Sequence, residues 1–354
     1  MNLQQLCDLT VNNGASDLIL HEGSPVALRI GGGMARVDAN DVPPEVFDEL
    51  WAACRAPESA LDFDSSFVAD SGHRFRVNLF RNLGRRGAVL RHIRATIPEL
   101  EYLGVPAQAL REWLSKQNGI ILVTGPAGSG KSTTLAACLE EMNERYARHI
   151  VTIEDPIEFV FRDNCSVFTQ REVGIDTSSF ADGLRQSLRQ APDVLFIGEV
   201  RDTDSAVTMI HASETGHLVL ATIHGSDTGD AIERMSQLLP EADRRMLGRV
   251  FSEQLLGVLA QRLIPKAGGE GVALAYEFFS NVGATRKYIE EGRSDELRDF
   301  IERSDGTHAQ SLLQSVAALC RRGVISESAA IAAVDRPGEL SRILRGISHL
   351  TQRR

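Results

Sequence analysis

The residues with the plainest chemical character are Gly125, Pro126, Ala127, Gly128, Ser129, Gly130, Lys131, Ser132 and Thr133, which spell G-x-x-x-x-G-K-[ST] followed by a further hydroxyl. Glycines at those intervals let backbone N–H groups converge on one point, so a neutral loop can bind phosphate, and a helix starting there adds its dipole. On that reading Lys131 reaches the β and γ phosphates of ATP, the Ser132 hydroxyl ligates Mg²⁺ and Thr133 contacts the α phosphate. A glycine-rich turn without a ligand is the plainer alternative. The flanks decide against it, because an apolar run, Gly119 to Thr124, precedes the loop and a helical pattern, Lys131 to Tyr146, follows it.

Three segments downstream could complete the chemistry. In APDVLFIGEVRD the apolar run Val194 to Ile197 ends at Gly198-Glu199, with glycine where an aspartate usually closes such a strand. Ligands of open α/β sheets gather at the carboxyl ends of strands, so Glu199 is expected to hold the Mg²⁺ shell through water. A surface ion pair with Arg201 is the alternative. The segment TIEDPIEF, Thr152 to Phe159, offers Glu154, Asp155 and Glu158 for Mg²⁺ or for a base that orients water. Spacing alone does not rank them, and their strand is expected beside the phosphate-loop strand. GHLVLATIH brackets a third apolar run with His217 and His224, whose odd separation on a strand argues against a shared metal. His224, at the carboxyl end, is placed to sense a γ phosphate, whereas His217 stays open between packing and catalysis. Arg76, Arg91, Arg185, Arg189 and Arg201 are the basic residues that a neighbouring subunit could donate in the manner of an arginine finger.

Positioning these residues takes an α/β scaffold. Helix (Ala107 to Lys116), strand (Gly119 to Thr124), loop, helix and strand (Ile150 to Ile153) alternate as in a parallel sheet flanked by helices. The runs Val194 to Ile197 and Leu218 to Thr222 have no polar face and read as strands buried on both sides. Ahead of this core a first helix is expected near Leu3 to Asn12, with strands at Asp17 to His21, Pro25 to Ile30, Phe75 to Phe80 and Ala88 to Ile93, and a turn at Gly31, Gly32 and Gly33. IPELEYLGVP, Ile97 to Pro106, has two prolines, a glycine and no helical period, so it reads as a linker. From about 283 the pattern is helical, as at Leu312, Leu313, Val316 and Leu319. The expected divisions are therefore 1–96, a linker at 97–106, an ATPase core at 107–282 and a helical region at 283–354.

Composition narrows the classes. A chain of 354 residues with 43% hydrophobic content can bury two cores. Its formal charge of -10 argues against coating nucleic acid, which needs clustered Lys and Arg. The first residues have no basic start leading into an apolar core, and no run of apolar residues is long enough to span a bilayer, so a cytoplasmic protein without membrane insertion is expected. The five cysteines are scattered, with no C-x-x-C spacing for zinc or redox work.

Taken together, GPAGSGKSTTLA, TIEDPIEF, GEVRD and GHLVLATIH resemble, in order, the Walker A loop, Asp box, Walker B strand and His box of the secretion ATPase superfamily, and within it the type IV pilus retraction ATPases, the PilT and PilU group. The resemblance implies an N-terminal PAS-like α+β domain joined by a linker to a RecA-like P-loop ATPase core with a helical C-terminal region. It implies a homo-hexamer that binds ATP and Mg²⁺, hydrolyses ATP to drive pilus retraction and twitching motility, and sits at the inner membrane against a pilus platform protein. It also ranks the carboxylates, with Glu158 as catalytic base and Glu199 as the Walker B glutamate.

QREVGIDT, LRQAPDV and AAVDRPGELSRILRGI look closer to PilU, which implies, as an alternative, an accessory subunit acting with a PilT-like partner. The retraction motif AIRNLIRE aligns with Ala284 to Glu291, which keeps its Ala, Arg, Ile and final Glu.

Overall fold

The computed structural model describes residues 1–31, 33–93, 96–269 and 271–345. Gly32 of the expected turn, residues 94–95 near the end of the first expected division and 346–354 of the helical region lie outside the described residues. The chain divides into two compact units, Met1–Ile97 with Pro156–Val160, and Pro98–Asp155 with the residues from Phe161 onward.

In the first unit the elements run α1 (Leu3–Asn12), β1 (Asp17–His21), β2 (Pro25–Ile30), β3 (Gly33–Asp41), α2 (Pro44–Ala53), β4 (Asp62–Val68), β5 (Arg74–Asn82) and β6 (Arg85–Ile93). Asn2 opens α1 with a capping box to Gln5, and Pro44 supplies the fixed φ that favours a helix start. The strands pair antiparallel in the order β3-β2-β1-β6-β5-β4. Along β5, Phe75, Val77 and Leu79 are buried while Arg74, Arg76 and Asn78 point to the other side, the period-two signature of a sheet covered on one face. Leu3 and Leu6 of α1 and Phe47 and Leu50 of α2 pack with Leu18, Leu20, Val77 and Leu90 of the sheet. Each such side chain gains about 1.5–3 kcal/mol by leaving water. Helix α2 and the polar edge strand β4 occupy 44–68, where no element is expected from the sequence.

The second unit begins with α3 (Leu100–Leu103) and α4 (Ala107–Leu114), then β7 (Gly119–Thr124), α5 (Lys131–Arg145), β8 (His149–Glu154), β9 (Val167–Glu172), α6 (Phe180–Ser187) and β10 (Val194–Ile197). There follow α7 (Thr203–Glu214), β11 (Leu218–Ile223), α8 (Thr228–Leu238), α9 (Arg244–Gln254), β12 (Leu255–Pro265) and β13 (Val272–Ser280). It closes with α10 (Ala284–Glu290), α11 (Ser294–Arg303), the two-residue β14 (Ala309–Gln310), α12 (Leu312–Arg321), α13 (Glu327–Ala332) and α14 (Pro337–Leu344). Eight strands form one sheet in the order β14-β13-β12-β7-β11-β10-β8-β9, parallel from β12 to β9 and antiparallel from β12 to β14. Helices α7, α8 and α9 bury one face of β7 and β11 around Leu122, Met209, Val219 and Phe251, and α5 lies on the other.

Two expectations change. The strand ahead of Glu154 is not a neighbour of the phosphate-loop strand, since β11 and β10 lie between β8 and β7. Parallel crossovers carry no local signal for their partner, and β11, later in the chain, takes the place beside β7. The segment expected as an irregular linker holds α3, one helical turn that buries Leu100 and is ended by Gly104 at φ 72°. Arg111 ties that turn down, bonding Glu101 of α3 and, at 2.7 Å, Glu141 of α5. Beyond α11, the helices α12 to α14 bury Val316, Ile325 and Leu340 against Ile264 and Ala275. No helix of the described residues is long and apolar enough to cross a membrane.

Candidate nucleotide site

Every residue of β7 is buried, so the strand delivers the loop Gly125–Gly130 to a fixed point, and α5 starts at Lys131. Gly125 has φ 144°, and a Cβ there would stand 2.5 Å from the Gln261 carbonyl oxygen and 2.6 Å from Ser129 Oγ. Only glycine fits that close approach. Gly128 and Gly130 take φ 74° and 90°, which folds the loop over the helix N-terminus. Lys131 Nζ donates to the carbonyls of Gly125 and Pro126 at 2.9 and 3.0 Å, so the ammonium is held on the loop itself. Ser132 and Thr133 are half-buried beside it, whereas Pro126, Ala127 and Gly128 are exposed. Thr124 Oγ1 and Ser129 Oγ, at the base of the loop, are buried with no hydrogen-bond partner among the described residues. A glycine cradle, a helix N-terminus and a loop-held lysine fit the phosphates of a nucleotide.

In the neighbouring strands the carboxyl ends line up. Ile223 pairs with Thr124, Ile197 with Ala221 and Ile153 with Ile197, so β7, β11, β10 and β8 end along one edge. Gly198 stands at that edge because a Cβ would lie 3.2 Å from the Ile153 carbonyl oxygen and 3.3 Å from Glu154 Cα. Its N–H donates to Ile153 O at 2.8 Å, and its own carbonyl accepts from Thr222 Oγ1. This crowding explains glycine where an aspartate is usual. The next residue, Glu199, is 26% exposed, and its carboxylate lies 2.8 Å from His224 Nε2. Gly225, after His224, lies against the loop strand, since a Cβ there would meet Thr124 Oγ1 at 2.7 Å.

Of the acidic segment, Glu154 is buried and accepts from Thr152 Oγ1 at 2.7 Å, while Asp155 is exposed and pairs with Arg201 at 2.9 Å. Arg201 also lies over the Phe180 ring and is 3.9 Å from Glu199, so its main carboxylate partner is Asp155. Glu158 is exposed and falls in Pro156–Val160, grouped with the first unit. His217 lies at the opposite end of β11 from His224 and donates Nδ1–H to the Ala212 carbonyl at 2.9 Å, closing the end of α7. That is a packing role.

The arginines also separate. Arg91 bonds Asp17 at 2.8 Å, and Arg185 bonds Asp182 at 2.9 Å. Arg76 and Arg189 are exposed and have no ion pair among the described residues. Two residues near the edge escape the sequence reading. Gln261 of β12 donates to Thr134 Oγ1 of α5 at 2.6 Å behind the loop, and Glu277 of β13 accepts from Thr228. Both strands lie in a stretch the reading leaves unassigned, and a polar residue inside an apolar strand is the one signal that marks them.

The family model described as Type II/IV secretion system protein matches residues 67–321. Over 332 residues the chain is 36% identical to the type IV pilus retraction ATPase PilT of Pseudomonas aeruginosa, covering 92% of this chain and 96% of that one. It is 34% identical to the type IV pilus ATPase PilU of the same organism over 354 residues, 98% of this chain and 92% of that one. Among solved structures, the pilus retraction motor PilT with bound ADP superposes with a TM-score of 0.89 at 37% identity, over 97% of this chain and 99% of that one. A mixed α/β fold, a phosphate loop and relatives matched from end to end thus make this chain a member of the Type II/IV secretion system protein family, in its group of type IV pilus ATPases.

Proposed function

We propose that this chain is a hexameric ATPase motor that drives type IV pilus retraction, acting at the cytoplasmic side of the inner membrane on a pilus platform protein. The observation that carries this is the phosphate loop and the Glu199–His224 pair on one sheet edge, in a chain alike throughout its length to an ADP-bound retraction motor. Gly125 to Thr133 hold the phosphates of ATP. Ser132 and, through water, Glu199 hold Mg²⁺, which when bound neutralises phosphate charge. Glu158 is the base that orients the attacking water, and His224, against the Glu199 carboxylate, senses the γ phosphate. Arg76, free of an ion pair among the described residues, leads the arginines as a residue donated to a neighbouring subunit's site. Residues 1–96 serve as a PAS-like domain, 97–106 as its connection, 107–282 as a RecA-like core and 283–354 as a helical region.

Steady-state phosphate release from the purified protein tests the reading. Lys131→Ala and Glu158→Gln each abolish hydrolysis while far-UV circular dichroism stays that of the wild type; an unchanged rate in both sinks the enzyme assignment. The near-equal identity to PilU favours a second reading, an accessory ATPase acting with a PilT-like partner. Low activity alone that rises only on adding such a partner selects it.

A further inference from the structure

The turn that follows His224 is built from its own residues. Asp227 caps α8 by accepting from Asp230 N–H at 2.7 Å, and the Asp230 carboxylate accepts from Ser226 N–H at 2.8 Å. Those bonds shape the turn from within, and Asp227 also lies 3.9 Å from the Arg298 guanidinium of α11. Glu277, on β13, reaches the turn from the sheet: its Oε1 accepts from Thr228 N–H at 3.0 Å and from Thr228 Oγ1 at 2.7 Å. Its Oε2 accepts from Leu312 N–H, the first residue of α12, at 3.4 Å. One carboxylate therefore spans two helix N-termini, where backbone N–H groups and helix dipoles favour negative charge. Burial pushes the carboxyl above the ordinary glutamate range, with the bonds from Thr228 and Leu312 opposing it. Among the described ion pairs Glu277 has no cation.

We infer that Glu277 is a positioning residue for nucleotide hydrolysis: by holding Thr228, four residues past His224, it fixes the loop so that His224 Nε2 meets Glu199, and it ties α12 to the same loop. The inference rests on the proposed role of the Glu199–His224 pair. Without Glu277 the turn keeps its internal bonds but loses its hydrogen bonds to the sheet. His224 then swings relative to Glu199, while the phosphate loop, carried by β7 and α5, is untouched. The loss should therefore fall on kcat and leave nucleotide affinity alone.

Steady-state kinetics of the full chain, with ADP affinity and thermal unfolding measured in parallel, test this. Glu277→Ala should lower kcat about tenfold, the scale for removing a group that orients a functional side chain, with KM for ATP and the Kd for ADP within about twofold. Glu277→Gln, which keeps an oxygen for Thr228 and turns an amide N–H₂ toward Leu312, should fall between. Thr228→Ala should lower kcat less, in the same direction. His224→Ala combined with Glu277→Ala should be no slower than His224→Ala alone, because Glu277 acts through His224. If Glu277→Ala keeps the wild-type kcat, if its loss multiplies with that of His224→Ala, or if it appears only as weaker ADP binding or a lower melting temperature, the inference is overturned. If Glu277→Ala does not fold, Thr228→Ala decides: a kcat loss absorbed by His224→Ala supports the role, and no loss overturns it. Wild-type activity tests the ATPase reading by itself, so an inactive wild type and a silent Glu277 substitution are different failures.

Discussion

In the first unit's sheet one face is covered by α1 and α2, and the other carries Arg29, Asp17, Arg91 and Arg76 side by side across β2, β1, β6 and β5. In the second unit β7, β10 and β11 are buried on both faces and contain no ionisable residue; Glu199 and His224 lie just past the ends of β10 and β11, and Lys131 opens the helix after the loop that follows β7. An antiparallel sheet with one bare face can show charge along its strands, whereas a parallel sheet sandwiched between helices can show it only at its ends. The polar chemistry of the second unit is therefore concentrated at one edge, and that of the first is spread over a surface.

The contrast can be broken at the edge, in the buried face and on the bare face. The largest effect is expected from Gly125→Ala, which would put a methyl 2.5 Å from a backbone oxygen at φ 144°. Strain of about 1–3 kcal/mol at the loop should weaken ADP binding at least tenfold in a fluorescence titration, and unchanged affinity would mean that the loop does not bind phosphate. Gly257→Ala acts inside the sandwich, since its methyl would stand 2.2 Å from the Trp113 ring, whose Nε1–H donates to Ser280 Oγ at 3.0 Å. Overpacking there should cost about 1–3 kcal/mol, read as a lower melting temperature with little change in ADP affinity.

Asp17→Asn tests the bare face and should have the smallest effect. Burial pushes the Asp17 carboxyl up, but hydrogen bonds from Arg91 and Ser16 and the charges of Arg91 and Arg29 outweigh it and hold the group below the ordinary aspartate value. A group lowered by folding stabilises the protein above its unfolded pKa, and that contribution fades as the pH falls through the folded value. Asp17→Asn should thus cost about 1 kcal/mol at neutral pH, and the difference from the wild type should shrink below about pH 4 in urea unfolding. A deficit that stays constant down to pH 2 would show that the Arg29–Asp17–Arg91 row does not stabilise the sheet through charge.

Much of the site was legible in the residues alone. The loop from Gly125 to Thr133 could be read because its chemistry is local: glycine φ values, a strand before and a helix after. The runs ending at Gly198-Glu199 and His224 were legible as buried strands because neither face is polar. The place of Gly198 could be noticed but not explained, for its crowding comes from the Ile153 and Glu154 backbone.

Only the tertiary structure decided which strands lie beside which, that β11 and not β8 borders the phosphate-loop strand, and that Glu199 meets His224. It also decided that Arg91 and Arg201 are engaged with Asp17 and Asp155, and that Glu277 holds the turn after His224. The physical reason is common to all of these. Glycine geometry, capping and hydrophobic period are set by residues a few positions apart, whereas parallel pairing and buried polar bonds join residues tens of positions apart whose meeting nothing local encodes.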